Sequence, residues 1–138
     1  MPVVTEEWGH FRLVIAELRK RNLQLGRQRK DLYVNELLKF QKRGGTYDDR
    51  LLEKLLTCAL IEARSCERFR LLSLNLQDPE LREFYHGFMV SEAGHYKMFL
   101  SLAKHYCGAE LTNARWAEYL DHEAQLMKSM APDGTRMH

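Results

Sequence analysis

The sequence predicts an all-α protein folded as an antiparallel helical bundle. Apolar residues recur at spacings of three and four along most of the chain, and no segment shows the alternation typical of a strand. Only three prolines and eight glycines interrupt the 138 residues, which favours long helices. Apolar residues make up 45% and charged residues 29%, as in soluble globular proteins. The sequence contains no run of about 18 apolar residues, so we expect no membrane span.

The first part of the chain predicts two helices with a basic connection between them. The first covers residues 3–22, and residues 22–30 have poor periodicity. A short amphipathic helix follows over residues 31–43, and Gly44 and Gly45 end it. The stripe of the first helix is Val3, Glu7, His10, Val14 and Leu18. The apolar residues of the second are Leu32, Leu37, Leu38 and Phe40.

Three further helices are predicted after the glycine pair. The first covers residues 48–76. Asp78 can cap the next helix and Pro79 suits its first position, so this helix runs from there to about Tyr106. The last covers residues 112–130. The predicted stripes are Leu52, Leu55, Ala59, Glu62, Cys66 and Phe69; then Leu81, Phe84 or Tyr85, Phe88, Glu92, His95 and Phe99; then Trp116, Leu120, Glu123 and Met127.

The length suits one domain, which we expect to cover residues 1–131 before a disordered tail, 132–138. The cysteines Cys58, Cys66 and Cys107 are odd in number and lack a C-x-x-C spacing, which argues against disulfides or structural zinc. We expect free thiols, with the first two buried. Free thiols are typical of a reducing compartment, so the cytoplasm is the expected location. The N-terminus does not resemble a signal peptide.

The positive charge is concentrated in one segment. Residues 19–43 hold nine basic and two acidic residues, whereas the whole chain has a formal net charge of +2. Such an excess can bind a polyanion. A solvated helix face is the alternative interpretation.

Two Glu-x-x-His motifs lie on apolar stripes: Glu7 with His10, and Glu92 with His95. The spacing puts a carboxylate and an imidazole on one helix face. Two such motifs, with a glutamate from each of two other helices, form the di-iron site of ferritin-like bundles. A buried polar network is the alternative. The remaining histidines are predicted to lie at the surface: His86, His105, His122 and His138.

The helix between the two motifs offers two candidate glutamates, Glu62 and Glu67. The turn to the next helix is centred near Gln77; Glu62 lies 15 residues before it and Glu92 lies 15 after it. In an antiparallel pair these two are level, whereas Glu67 would lie ~7 Å nearer the turn. We therefore predict Glu62 as the ligand. Glu67 is expected to pair with one of its arginine neighbours, Arg64, Arg68 or Arg70.

These motifs resemble the MiaE family in order and spacing. The resemblance rests on residues 61–69, on Phe84-Tyr85 and on the segment Ser91-Glu92-Ala93-Gly94-His95-Tyr96. Residues 6–11 are similar to the first Glu-x-x-His helix of the family, and the basic connection is also family-like.

The resemblance implies a non-haem di-iron monooxygenase. Members hydroxylate the isopentenyl group of a modified adenosine beside the tRNA anticodon, using dioxygen and an external electron donor. The implied ligands of two iron ions are Glu7, His10, Glu62, Glu92 and His95. The residues implied to hold tRNA phosphates are Arg19, Lys20, Arg21, Arg27, Arg29 and Lys30.

The family has one more ligand helix before the first motif, which carries a sixth ligand. This sequence begins about six residues before Glu7, so we expect an N-terminally truncated bundle and self-association through the uncovered apolar stripes. Three hypotheses follow: a tRNA hydroxylase whose missing ligand is replaced, a ferritin-like remnant without oxygenase activity, and a basic helical module that binds RNA but no metal.

Overall fold

The computed structural model describes residues 2–130, and all regular structure in that range is helical, as predicted. The five helices are α1 (Pro2–Lys20), α2 (Leu32–Phe40), α3 (Tyr47–Asn75), α4 (Pro79–Cys107) and α5 (Ala109–Ser129). The contacts divide the chain into two units, Met1–Asp31 and Leu32–His138. The predicted tail, residues 132–138, lies outside the described residues.

The first unit consists of α1 and a basic segment without regular structure. The helix ends at Lys20, two residues earlier than predicted, and Asn22 follows with a positive φ of 57°. This left-handed conformation is one that asparagine tolerates. Residues 23–31 form no regular structure.

Local chemistry fixes the helix ends of the second unit. Thr46 and Asp49 form a reciprocal capping box at the start of α3, a signal that the sequence prediction missed. Asp78 accepts a hydrogen bond from the Glu80 amide at 2.9 Å, as predicted for the start of α4. Gly108, with φ 88°, ends α4 and starts α5 at once. The last helix therefore begins three residues earlier than predicted.

The long helices α3 and α4 form an antiparallel hairpin, and α2 and α5 pack against its open end. The core of this unit is formed by eight buried residues, Tyr33, Leu37, Leu52, Leu56, Leu60, Ala103, Tyr119 and Leu126. In the range 2–130 no helix is long and apolar enough to cross a membrane.

The buried faces of α2 and α5 differ from the predicted ones. In α2, Tyr33 and Leu37 face the core, whereas Leu32 and Leu38 are exposed. The buried residues of α5 are Thr112, Arg115, Tyr119 and Leu126. Of the predicted stripe, Trp116 and Met127 are half-buried and pack against the core, whereas Leu120 is 44% exposed. Hydropathy misplaced this face because two of its members are polar.

Candidate metal centre

Three predicted ligands from α3 and α4 lie together. Glu62, Glu92 and His95 each present one ligand atom, and these atoms lie within 4.8 Å of one another. Nδ1 of His95 is 3.5 Å from Oε2 of Glu62. Glu92 and His95 are buried, and Glu62 is half-buried. Two carboxylates and an imidazole form a donor set suited to iron or manganese, so these residues fit a metal ion.

The antiparallel register of the hairpin produces this convergence. Glu62 meets His95 across the interface, and one turn closer to the connection the Cys66 thiol lies 3.5 Å from the Met89 carbonyl oxygen. Both contacts agree with the expected register, in which residues at similar distances before and after the turn lie at the same height in the two helices. Glu67 lies outside the cluster and is exposed. Its carboxylate binds Arg70 through two hydrogen bonds of 2.6 and 2.9 Å, so the predicted arginine pairing is confirmed.

The other predicted motif lies in α1, in the first unit. Nδ1 of His10 is 3.3 Å from Oε1 of Glu7, across one helical turn. The i, i+3 spacing therefore brings this carboxylate and imidazole together within their own helix. Their role as metal ligands stays a prediction.

The cysteines and spare histidines follow the predictions only in part. The three thiols are free, but Cys58 and Cys66 are half-buried rather than buried. Burial raises the pKa of the Cys58 thiol, and the charge of Glu62 raises it further. His86 and His105 are exposed, as predicted. His122 is half-buried rather than exposed, and its ring stacks on Phe40 with centroids 4.1 Å apart. His138 lies outside the described residues.

The sequence prediction missed a second polar cluster, centred on Glu53 and Arg115. The Arg115 guanidinium donates to both carboxylate oxygens of Glu53, at 2.9 and 2.6 Å, and to Glu118 at 2.7 Å. The Lys42 amide donates to Glu53 at 2.6 Å. The sequence did contain one signal for this cluster. Glu53 is a carboxylate between Leu52 and Leu56 on the buried face of α3. Its partner lies 62 residues away, so the sequence alone did not identify it.

In this second cluster, the pKa of the Glu53 carboxyl is lowered and the pKa of the Arg115 guanidinium is raised. Burial alone would raise the pKa of the Glu53 carboxyl, but the hydrogen bonds from Arg115 and Lys42 outweigh burial and lower it. The hydrogen bond to Glu53 raises the pKa of the Arg115 guanidinium. Both groups therefore stay charged, and the cluster is a closed ion pair.

The basic residues predicted to bind RNA lie in the first unit, at the end of α1 and in the segment after it. All six are exposed. The Arg21 guanidinium donates a hydrogen bond to the Glu17 carboxylate at 2.9 Å, so its positive charge is partly neutralised by a residue of the same unit. The residues are Arg19, Lys20, Arg21, Arg27, Arg29 and Lys30.

The fold and the carboxylate–histidine cluster define a ferritin-like helical protein. A solved structure, "Protein 43 with aldehyde deformylating oxygenase activity from Synechococcus", is similar to this chain with a TM-score of 0.86 and 32% identity. The similarity covers 98% of this chain and 65% of that one.

Residues 1–138 match the family described as tRNA-(MS2IO6A)-hydroxylase (MiaE), and the chain belongs to this family. It is 37% identical over 128 residues to the tRNA 2-(methylsulfanyl)-N(6)-isopentenyladenosine(37) hydroxylase of Pseudomonas putida, covering 93% of this chain and 60% of that protein. It is 36% identical over 132 residues to the hydroxylase of the same name from Salmonella typhimurium, covering 95% and 46%. The chain thus spans about half the length of these relatives.

Proposed function

We propose that this chain is a tRNA-modifying non-haem di-iron monooxygenase, which hydroxylates the isopentenyl group of a modified adenosine next to the anticodon. One observation carries the proposal: Glu62, Glu92 and His95 converge in a chain of the MiaE family. The names of the two hydroxylases that it resembles support the substrate class.

The metal ligands in this proposal are five residues of the two Glu-x-x-His motifs and α3: Glu7, His10, Glu62, Glu92 and His95. When bound, the two iron ions supply the activation of dioxygen, with electrons from an external donor protein. Glu92 and His95 are buried, and a buried site would exclude bulk water from the reacting prenyl carbon. Overall, one atom of dioxygen would be inserted into a C–H bond of the prenyl group, and the other would be reduced to water by two electrons from the donor and two protons.

The basic segment of the first unit would hold the phosphates of the tRNA. Phosphate contacts position a nucleic acid without reading its sequence, and this role needs only exposed cationic side chains. Arg27, Arg29 and Lys30 are exposed and lie outside regular structure. Such a segment can follow the backbone of an anticodon stem-loop.

The hydroxylation itself is the first test of the proposal. The iron-loaded protein is mixed under air with a chemical reductant and an anticodon stem-loop carrying the methylthio-isopentenyl adenosine, and the nucleoside is analysed by mass spectrometry. We expect the addition of one oxygen atom by the parent protein and by Glu67→Gln, and none by Glu92→Gln. An unmodified nucleoside with the iron-loaded parent protein would contradict the proposal.

The role of the basic segment is tested by the salt dependence of RNA binding. Each neutralised phosphate contributes a slope of about −0.7 to −0.9 to log K against log salt. Replacing Arg27, Arg29 and Lys30 by alanine should flatten the slope by about 2. Lys104→Ala, at an exposed residue of α4, is the control and should change it little. Equal slopes in the parent and the triple variant would remove this segment from the RNA site.

Self-association and a cytoplasmic location stay predictions. The exposed apolar residues Leu74 and Val90 are compatible with association, and three free thiols are compatible with a reducing compartment. Size-exclusion chromatography with light scattering decides the first: a monodisperse monomer would contradict it.

A further inference from the structure

Four aromatic side chains form a cluster of their own between α3 and α4. The Phe69 ring stacks on Tyr85 and also contacts Phe88, with centroids 5.7 and 5.5 Å apart. Phe84 meets Phe88 edge to face at 4.7 Å. None of the four belongs to the core at the other end of the hairpin. They form a second apolar site, beside the candidate metal centre.

The register of the hairpin fixes the distance between the aromatic cluster and the metal ligands. Phe69 lies seven residues after Glu62 on α3, and Tyr85 lies seven residues before Glu92 on α4. Seven residues are two helical turns, or about 10 Å. Phe88 lies between the two levels, one turn from Glu92. The rings and the ligands therefore occupy successive levels of one helix interface.

The outer rings of this cluster remain accessible. Phe88 is buried, whereas Phe69, Phe84 and Tyr85 are half-buried. The Arg68 guanidinium lies 5.0 Å from the centre of the Phe69 ring. Nε of Arg64, one turn nearer the ligands, is buried and makes no hydrogen bond within the described residues. Accessible rings with guanidinium groups beside them are the features that bind unstacked RNA bases and their phosphates.

We propose that Phe69 and Tyr85 are the docking site of the prenylated adenine, with the base against these rings and the prenyl chain directed past Phe88 toward Glu62 and Glu92. The distance of two turns suits this substrate, because both the prenyl arm and the metal ions would have to fit between the base and the ligand residues. The positive charge of Arg64 and Arg68 is complementary to the adjacent phosphate. This inference rests on the proposed function and adds the residues that select the substrate.

Binding of the free nucleoside N6-isopentenyladenosine to the metal-free protein tests the docking site without any turnover. Losing one stacking ring should weaken binding about tenfold, so we expect this loss in Phe69→Leu and in Tyr85→Leu, measured by equilibrium dialysis. Phe69→Tyr keeps the ring and should bind as the parent does. Tyr106→Leu, at an exposed aromatic residue far along α4, is the matched control. Circular dichroism and thermal unfolding identify any variant that fails to fold.

Two results would overturn the docking site: a parent protein that binds no nucleoside, or leucine variants that bind it as tightly as the parent. Its failure is distinguishable from failure of the proposed function. If the parent hydroxylates the stem-loop and the leucine variants do so with an unchanged KM, the docking site is wrong and the function stands. If nucleoside binding depends on the rings but the iron-loaded protein hydroxylates nothing, the docking site stands and the function falls.

Discussion

Helix α3 carries two inward-facing carboxylates in very different surroundings, Glu53 and Glu62, separated by about 13 Å along the helix. Glu53 is held by the two-pronged guanidinium of Arg115 and by the Lys42 amide. Glu62 instead converges with a second carboxylate, Glu92, and with an imidazole. The first cluster contains its own cation. The second has the donor set of a metal site, so a difference in partners separates a structural ion pair from a candidate catalytic centre.

The largest effect on stability is expected when the closed ion pair is broken. Arg115→Ala leaves the buried Glu53 carboxylate without its guanidinium, and breaking a buried pair in this way costs about 3 kcal/mol. Urea denaturation of the metal-free protein measures this cost. Arg70→Ala, which breaks the exposed pair with Glu67, should change stability little. A loss no larger in Arg115→Ala than in Arg70→Ala would show that the Glu53 pair does not stabilise the fold.

Removing one charge from the candidate metal centre should not destabilise the metal-free protein, in contrast to the ion pair. Glu92→Gln removes one of two neighbouring like charges, so the metal-free variant should be as stable as the parent or slightly more stable. Ferrous iron added without oxygen should raise the melting temperature of the parent through preferential binding to the folded state, and it should have little effect on the variant. Glu67→Gln is the control and should respond like the parent. A stability loss in metal-free Glu92→Gln as large as that of Arg115→Ala would make this cluster a structural network.

Acid should weaken the ion-pair cluster specifically. The pKa of Glu53 is lowered from its ordinary 4.5 in the folded protein, so its stabilisation is complete above that value and is lost as pH falls through the folded-state pKa. Glu53→Gln cannot titrate at this position. The stability difference between the parent and Glu53→Gln should therefore be largest near neutral pH and shrink in acid. A difference that is constant with pH would contradict the assignment.

Among the substitutions that destabilise the fold, the smallest loss of stability is expected when the buried hydroxyl of Tyr119 is removed. Tyr119→Phe removes a hydroxyl that accepts from Thr57 at 3.3 Å and donates to the Glu53 carbonyl at 3.4 Å. Both bonds are long, so a cost of about 1 kcal/mol is expected in urea denaturation. Tyr106→Phe, at an exposed residue, should cost nothing measurable. A larger loss of stability in Tyr119→Phe than in Arg115→Ala would show that the Tyr119 hydroxyl stabilises the fold more than the buried ion pair does.

The same comparison shows what could be predicted from the sequence. Helix positions and the choice of Glu62 follow from local spacing and from one short turn, because an antiparallel hairpin fixes which residues are level. The Glu53 pair depends on how α5 is rotated against α3, and hydropathy put Trp116 and Leu120 where Arg115 and Tyr119 lie. A buried arginine becomes favourable only after its distant partner is in place, so no local pattern identifies it.

The most direct test of the metal centre is the number of iron ions bound per chain after anaerobic loading with ferrous iron. We predict two per chain in the parent, fewer in His95→Ala, and two in His105→Ala, which alters an exposed histidine of the same helix. One iron or none in the parent, or undiminished loading of His95→Ala, would contradict the assignment of this cluster as a di-iron centre.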